Sequence, residues 1–129
     1  MKAYYAHSIF KYNTDVEKYE ISLIPYSVVN PNGCVNQTLS EAEIMHECFN
    51  LIDECDVLVF SSLDGVIGKG VADEIKHALI NGKQVFYIFN NMLNKINEIN
   101  IHPIQSSSSR RIYATFEWNK EKGGADKDR

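Results

Sequence analysis

The 129-residue chain lacks the features that identify several common classes of protein. No apolar run approaches the ~20 residues that a membrane-spanning helix needs, and no secretory apolar segment opens the sequence. The net charge is −4, so the chain lacks the basic excess of proteins that coat nucleic acids. We therefore expect a cytoplasmic protein that binds neither membrane nor nucleic acid.

Motifs for metals, cofactors and reactive thiols are also missing. The three cysteines are an odd number without C-x-x-C spacing, which indicates reduced thiols. No histidine pair has metal-ligand spacing with cysteine or aspartate. Walker-type, GxGxxG and GxSxG motifs are absent from the sequence, so ATPase, classical dinucleotide and α/β-hydrolase activities have no support. We expect no metal and no cofactor.

The pattern that is present is an alternation of strands and helices. Thr14 with Glu17, and Ser40 with Glu43, are capping boxes that start helices. The first helix carries Val16, Tyr19 and Leu23 on one face, and the second has apolar residues near the helical period. The predicted strands cover residues 3–6, 26–29, 56–61, 84–89 and 111–118, and further helices cover residues 71–80 and, as a short element, 92–99.

This order predicts one α/β domain over residues 1–118, followed by a mobile tail at 119–129. Short loops and a strand-helix alternation favour a flavodoxin-like, Rossmann-like three-layer sandwich. Its mainly parallel five-stranded sheet would have the order 2-1-3-4-5, with right-handed crossovers.

The stretch from Asp56 to Ala78 is the strongest candidate for a site. It reads as a buried strand, a glycine-rich loop and a helix, and α/β proteins bind small molecules beyond the carboxyl end of such a strand. The switch point between strands 1 and 3 would bring residues 7–12 beside residues 64–70. Asn30 would lie on the same edge of the sheet.

Three segments in this order resemble the nucleoside 2-deoxyribosyltransferase superfamily, and its 2′-deoxynucleoside 5′-phosphate N-hydrolase branch most of all. Residues 4–9 (YYAHSI) are similar to the opening aromatic strand and Gly-Ser-Ile loop. Residues 56–59 (DVLV) are similar to the third strand. Residues 70–74 (GVADE) are similar to the Gly-x-x-x-Glu start of the helix that carries the catalytic glutamate.

The resemblance implies that Glu74 is a nucleophile, that Asp64 assists at the base or in proton transfer, and that Tyr5 orients Glu74. Tyr4 and Tyr5 alternate across the strand, and the sequence does not decide which of them is core. A carboxylate beneath the sugar suits a reaction that builds positive charge at C1′. The plain alternatives are a solvated glutamate in a first helical turn and an Asp-Gly turn.

The loops supply the candidate substrate-binding residues. A helix N-terminus with glycines and a lysine can hold a phosphate, and turn asparagines can bond a sugar hydroxyl or simply close a turn. The candidates are His7, Ser8, Ile9, Asn30, Gly68, Lys69 and Gly70. Ser106 to Ser109 with Arg110 and Arg111 form either a second phosphate clamp, acting across a dimer, or a flexible polar loop.

Three positions depart from the family pattern: Gly68 replaces an aspartate, Lys76 replaces a glycine, and His7 replaces a glycine. They leave open an altered substrate, altered chemistry or lost turnover. The sequence thus predicts N-glycosidic cleavage or deoxyribosyl transfer on a nucleoside or nucleoside 5′-monophosphate, by a protein that forms a homodimer or higher homo-oligomer. The alternative is a non-catalytic module that senses or sequesters a nucleotide.

Overall fold

The computed structural model describes residues 1–104 and 113–121. The described residues form seven strands, and the helices lie among the first five of them. The strands are β1 (Lys2–Ala6), β2 (Ser27–Val29), β3 (Val57–Phe60), β4 (Val66–Gly68), β5 (Gln84–Phe89), β6 (Met92–Ile104) and β7 (Tyr113–Lys120). The helices are α1 (Asp15–Ser22), the single turn α2 (Pro31–Cys34), α3 (Glu41–Asp53) and α4 (Lys69–Ile80), and a 3₁₀ turn covers Ile9–Lys11.

The strands form a mixed sheet in the order β2-β1-β3-β5-β6-β7-β4. The α/β class is confirmed, and the first four predicted strands are parallel neighbours in the expected order. The predicted five-stranded sheet is wrong, because β6 lies between β5 and the last predicted strand, β7. β6, β7 and β4 are joined by antiparallel pairing.

The predicted short helix over residues 92–99 is wrong, because this segment begins the long strand β6. Asn90 and Asn91 both have positive φ, at 53° and 61°, which suits the two-residue turn of a β-hairpin. Leu93, Ile96 and Ile99 are spaced by three, as on a helix. The pairing register between β6 and β7 shifts between Ile96 and Glu98, so that the strand accommodates one extra residue there.

The predicted glycine loop contains another hairpin. Asp64 and Gly65 both have positive φ, and the backbone groups of Leu63 and Val66 bond each other at 2.9 and 3.0 Å. The chain then adds β4 to the edge of β7 and enters α4 two residues earlier than expected. β3 is therefore followed by a tight turn and the short strand β4, and the helix α4 begins only after β4.

Two apolar clusters lie on opposite faces of the parallel strands. One contains Tyr5 with Val57 and Val59, and the end of α1 packs against it. The other contains Tyr4 with Leu58 and Phe60, and it is covered by α3, α4 and the β6-β7-β4 sheet. Because side chains alternate along a strand, β1 and β3 supply both clusters.

The face of α1 that is buried is not the apolar face that the sequence predicts. Val16 and Tyr19 are each 50% exposed, whereas Glu17 and Glu20 are buried. Both predicted caps form: Thr14 accepts the Glu17 N–H at 3.2 Å, and Ser40 and Glu43 make a full capping box. The helix start was thus readable from the sequence, and the direction in which the helix faces was not.

Strand β7 continues through Lys120, two residues past the predicted end of the domain. The remaining part of the predicted tail, from residue 122 onward, lies outside the described residues. Within the described chain, no helix has the length and apolarity needed to cross a membrane.

Candidate active site

Adjacent tyrosines on β1 direct their hydroxyls to two different glutamates. Tyr4 and Tyr5 are both fully buried and point to opposite faces of the sheet. The Tyr4 hydroxyl donates to Glu74 Oε2, and the Tyr5 hydroxyl donates to Glu20 Oε1. The prediction that Tyr5 orients Glu74 is therefore wrong, because the alternation of the strand gives that contact to Tyr4.

Glu74 lies in the second turn of α4 and is only 5% exposed. Burial raises its pKa from 4.5 to about 7, while bonds to Tyr4 and Cys48 act in the opposite sense and the charge of Asp73 adds to the rise. Burial also raises the pKa of the Cys48 thiol, to about 12, with the Glu74 charge adding to it. A carboxyl group that titrates near neutrality is typical of catalytic acids, bases and nucleophiles.

Tyr12 is an aromatic residue of the loop that follows β1. It follows the 3₁₀ turn and is partly buried. Its ring contacts the His7 ring, with 4.9 Å between centroids. Burial raises the pKa of the Tyr12 phenol, and the negative charge of Glu74 raises it further.

A second polar cluster occupies the α1 face of the sheet. Glu20 accepts bonds from Tyr5 and from Ser61 Oγ, the latter at 2.7 Å. Lys11 Nζ donates to Glu20 Oε2 at 2.9 Å, to Ser61 Oγ at 2.8 Å and to the Ser62 carbonyl at 2.9 Å. These three bonds use every N–H of the ammonium group, so Lys11 neutralises a glutamate of its own chain at the carboxyl end of β3.

His7 continues this cluster and is buried. Its Nε2 lies 2.7 Å from Glu17 Oε2, and its Nδ1 lies 3.0 Å from the Tyr5 carbonyl. Burial lowers the pKa of His7, while the bond to Glu17 opposes that change. Burial would raise the pKa of Glu17, but its bonds to His7, the Asn13 N–H and Asn32 lower it overall. Both imidazole nitrogens are therefore engaged by the chain itself rather than presented to a phosphate.

The other candidates in the early loops close turns. Ser8 Oγ accepts the Phe10 N–H at 3.1 Å and caps the 3₁₀ turn. Asn30 Oδ1 accepts the Asn32 N–H at 3.0 Å and caps α2. The Ile9 side chain is exposed. For Asn30, the observed bond is the turn chemistry that was the plain alternative to ligand binding.

The charged side chains of the glycine-rich segment, Asp64 and Lys69, are exposed. Asp64 is exposed and occupies the first position of the two-residue turn. Gly68 is the N-cap residue of α4 and supplies no side-chain cap. Lys69 Nζ binds Asp73 at 2.6 Å, and a Cβ atom at Gly70 would meet only Met45 Sδ at 3.6 Å. The structure thus groups Glu74 with Tyr4 and Cys48, and not with Asp64 or Lys69.

Several residues of these clusters were not among the predicted site residues: Tyr4, Lys11, Tyr12, Glu17, Glu20, Cys48 and Ser61. The alternation of β1 limited the partner of Glu74 to one of two tyrosines. Cys48 could have been found from its place on the apolar face of α3. Glu17 and Glu20 gave no comparable signal, because charged residues on a helix normally face solvent.

Every buried side-chain nitrogen and oxygen atom in the described part of the chain has a hydrogen-bond partner. Among those same residues, no group of three or more histidine, cysteine, aspartate or glutamate side chains is arranged to hold a metal ion. The proposed serine and arginine clamp, residues 106–111, lies outside the described residues.

Comparison with known proteins yields no family model, no curated protein and no solved structure that matches this chain.

Proposed function

We propose that this protein cleaves the N-glycosidic bond of a nucleoside or nucleoside 5′-monophosphate, with Glu74 as the nucleophile. The observation that carries the proposal is the hydrogen bond from the buried Tyr4 hydroxyl to the buried Glu74 carboxylate. Together with the bond to Cys48, it holds the carboxylate in one orientation. The resemblance of residues 3–90 to the deoxyribosyltransferase superfamily supports the same assignment.

The protonation state of Glu74 is compatible with this role. With a pKa of about 7, roughly half of the carboxyl groups are ionised at neutral pH. The ionised form is the nucleophile, and the Tyr4 bond favours it. The low-dielectric surroundings strengthen the attraction between this carboxylate and positive charge that develops at C1′.

The proposed reaction has two steps. A Glu74 oxygen forms a bond to C1′ as the bond from C1′ to the base nitrogen breaks, and the electron pair of that bond leaves with the base. A proton must reach the departing base, and we propose that Asp64 assists in its delivery. In the second step, water or a second base attacks C1′ and loses a proton. The bond between C1′ and the Glu74 oxygen breaks, so the sugar is released and Glu74 is again a free carboxylate.

The choice of acceptor decides between hydrolysis and transfer. Water as the acceptor yields the free sugar or sugar phosphate, and a second base yields a new nucleoside. The proposal requires no metal or cofactor for either outcome, since the nucleophile is a side chain. We also propose that the protein acts in the cytoplasm as a homodimer or higher homo-oligomer.

A second candidate function is nucleotide binding without turnover. The 5% exposure of Glu74 favours it, because a buried carboxylate must be uncovered before it can reach C1′. The pairing of His7 with Glu17 also favours it, since this histidine fills the position of a family glycine. Binding alone would leave the ligand chemically intact.

The test is to incubate the protein with a panel of deoxynucleosides and their 5′-monophosphates, with and without a second base, and to follow the free base by chromatography. Glu74→Gln should abolish base release. Glu47→Gln removes an exposed glutamate of α3 and serves as the matched control. Base release that persists undiminished in Glu74→Gln would show that Glu74 is not the nucleophile.

The binding function predicts a different result on the same panel. A ligand should raise the thermal stability of the protein, by ~2.7 kcal/mol at 100 times its dissociation constant, and it should be recovered unchanged. Stabilisation without product supports binding over catalysis. The absence of both base release and stabilisation across the panel would refute both functions.

A further inference from the structure

The turn that carries Asp64 lies between β3 and β4. Asp64 and Gly65 have φ of 50° and 83°, and the backbone bonds between Leu63 and Val66 close the turn. The Asp64 side chain is exposed, and it makes no hydrogen bond or ion pair with another described residue. The position of its carboxyl group therefore depends on how the turn itself is held.

Ser62 connects this turn to the neighbouring strand. Its Oγ accepts the Gly65 N–H at 3.1 Å and lies 2.7 Å from the Tyr87 hydroxyl. A serine hydroxyl offers one donor and two acceptor positions, so it makes both bonds at once. Because Tyr87 belongs to β5, the Ser62 side chain ties the turn to the parallel sheet.

Tyr87 is a rigid anchor for this bond. Its residue is 4% exposed, and its ring stacks on Phe60 with 4.8 Å between centroids. The rings of Phe116 and Trp118 pack against it at 81° and 85°, with centroids 5.1 and 5.2 Å away. A ring that is enclosed by close-packed neighbours cannot turn without disturbing the core, so the phenol oxygen keeps its place.

The backbone of Ser62 is held from the other face of the sheet. Its carbonyl accepts a bond from Lys11 Nζ at 2.9 Å. Lys11 is buried, and its remaining N–H groups bind Glu20 and Ser61. Ser62 is therefore restrained through its side chain on the Tyr87 face and through its carbonyl on the α1 face.

We propose that Ser62 is a positioning residue that holds the Asp64 turn in the orientation from which Asp64 assists proton delivery. This inference rests on the proposed function, because it takes Asp64 as the assisting group. A proton donor must lie within hydrogen-bond reach of its acceptor, and a misplacement of about 1 Å can slow a reaction about 100-fold. Loss of the Ser62 hydroxyl should therefore slow the chemistry without unfolding the protein.

The experiment compares the wild-type protein with Ser62→Ala, Ser62→Thr and Tyr87→Phe. The control is Ser22→Ala, which removes a hydroxyl that bonds only the Tyr19 carbonyl at the end of α1. Hydrogen exchange of the Gly65 amide is followed by NMR. Base release is measured as kcat and KM for each variant, and again with Ser62→Ala and Asp64→Asn combined.

We expect Ser62→Ala to speed exchange of the Gly65 amide several-fold and to lower kcat several-fold with KM unchanged. Tyr87→Phe keeps the ring and removes the anchor, so it should produce a smaller change in the same direction. Ser62→Thr restores the hydroxyl and should match the wild type. In the Asp64→Asn background, Ser62→Ala should cause no further loss, because residues that act through one another are not additive.

Two results would overturn the proposal. Gly65 exchange in Ser62→Ala equal to that of the wild type would show that Ser62 does not hold the turn. Losses of kcat that add in the double variant would show that Ser62 does not act through Asp64. Failure of the proposed function looks different: no substrate would release base even from the wild type, and faster Gly65 exchange in Ser62→Ala would then support the tether alone.

Discussion

Replacing Glu74 with glutamine removes one ionisable group from the core and keeps its size and most of its hydrogen-bonding capacity. The pKa of Glu74 is raised by burial from 4.5 to about 7. The folded protein therefore holds a proton that the unfolded chain releases more readily. The stability that this proton provides is complete below pH ~4.5 and is lost as the pH rises through ~7.

The size of this effect follows from the shift. Each unit of pKa difference between the folded and unfolded states corresponds to about 1.4 kcal/mol. For a shift from 4.5 to about 7, the free energy of unfolding should fall by about 3 kcal/mol between pH ~4.5 and pH ~8. Glutamine does not titrate, so the Glu74→Gln variant should lack this part of the pH dependence.

The assay is urea denaturation of both proteins at a series of pH values. The difference in unfolding free energy, variant minus wild type, should rise by about 3 kcal/mol over that interval. Taking the difference cancels titrations that both proteins share, including that of the His7 and Glu17 pair. Glu47→Gln shows how much pH dependence follows from net charge alone. A Glu74→Gln difference that stays constant across the pH range would refute the argument from burial.

Three further predictions follow from the contacts. Tyr4→Phe removes a bond that lowers the pKa of Glu74, so the pH profile of base release should move to higher pH; an unshifted profile would exclude Tyr4 as the positioning residue. Lys11→Met leaves Glu20 without its cation and should lower the unfolding free energy by about 3–5 kcal/mol, measured by urea denaturation; a loss below about 1 kcal/mol would contradict the buried pair. Asp64→Asn retains a residue that favours the two-residue turn, so it should leave the melting temperature unchanged and slow base release; an unchanged rate would exclude Asp64 from proton delivery.

The candidate site was predicted from local sequence patterns. The segment after β3 was predicted to hold a site from its strand, glycines and helix, and Glu74 was chosen from the resemblance of residues 70–74 to a family motif; both stay predictions. The predicted hydrogen-bond partner of Glu74, Tyr5, was wrong. Choosing Tyr4 over Tyr5 requires knowing which face of β1 meets α4. That choice is made by packing between elements distant in the chain, which the local sequence does not record.

Longer-range effects also explain the errors in the fold. The segment beginning at Met92 has residues spaced as in a helix, but the turn at Asn90 and Asn91 directs it back along β5. Pairing with β7 then stabilises it as a strand, since tertiary context overrides a weak local preference. β4 is too short to be recognised alone and exists because β7 offers it an edge.

The sequence by itself determined the alternation of parallel strands and helices, the capped starts of α1 and α3, and the end of the sheet at which a ligand would be expected. These depend on capping, turn chemistry and apolar periodicity within about a dozen residues. Only the tertiary structure decided that α1 turns Glu17 and Glu20 inward, that Tyr4 binds Glu74, and that Tyr5 binds Glu20 instead. Burying a charge is favourable only where partners from other elements compensate it, and those partners come together only when the chain has folded.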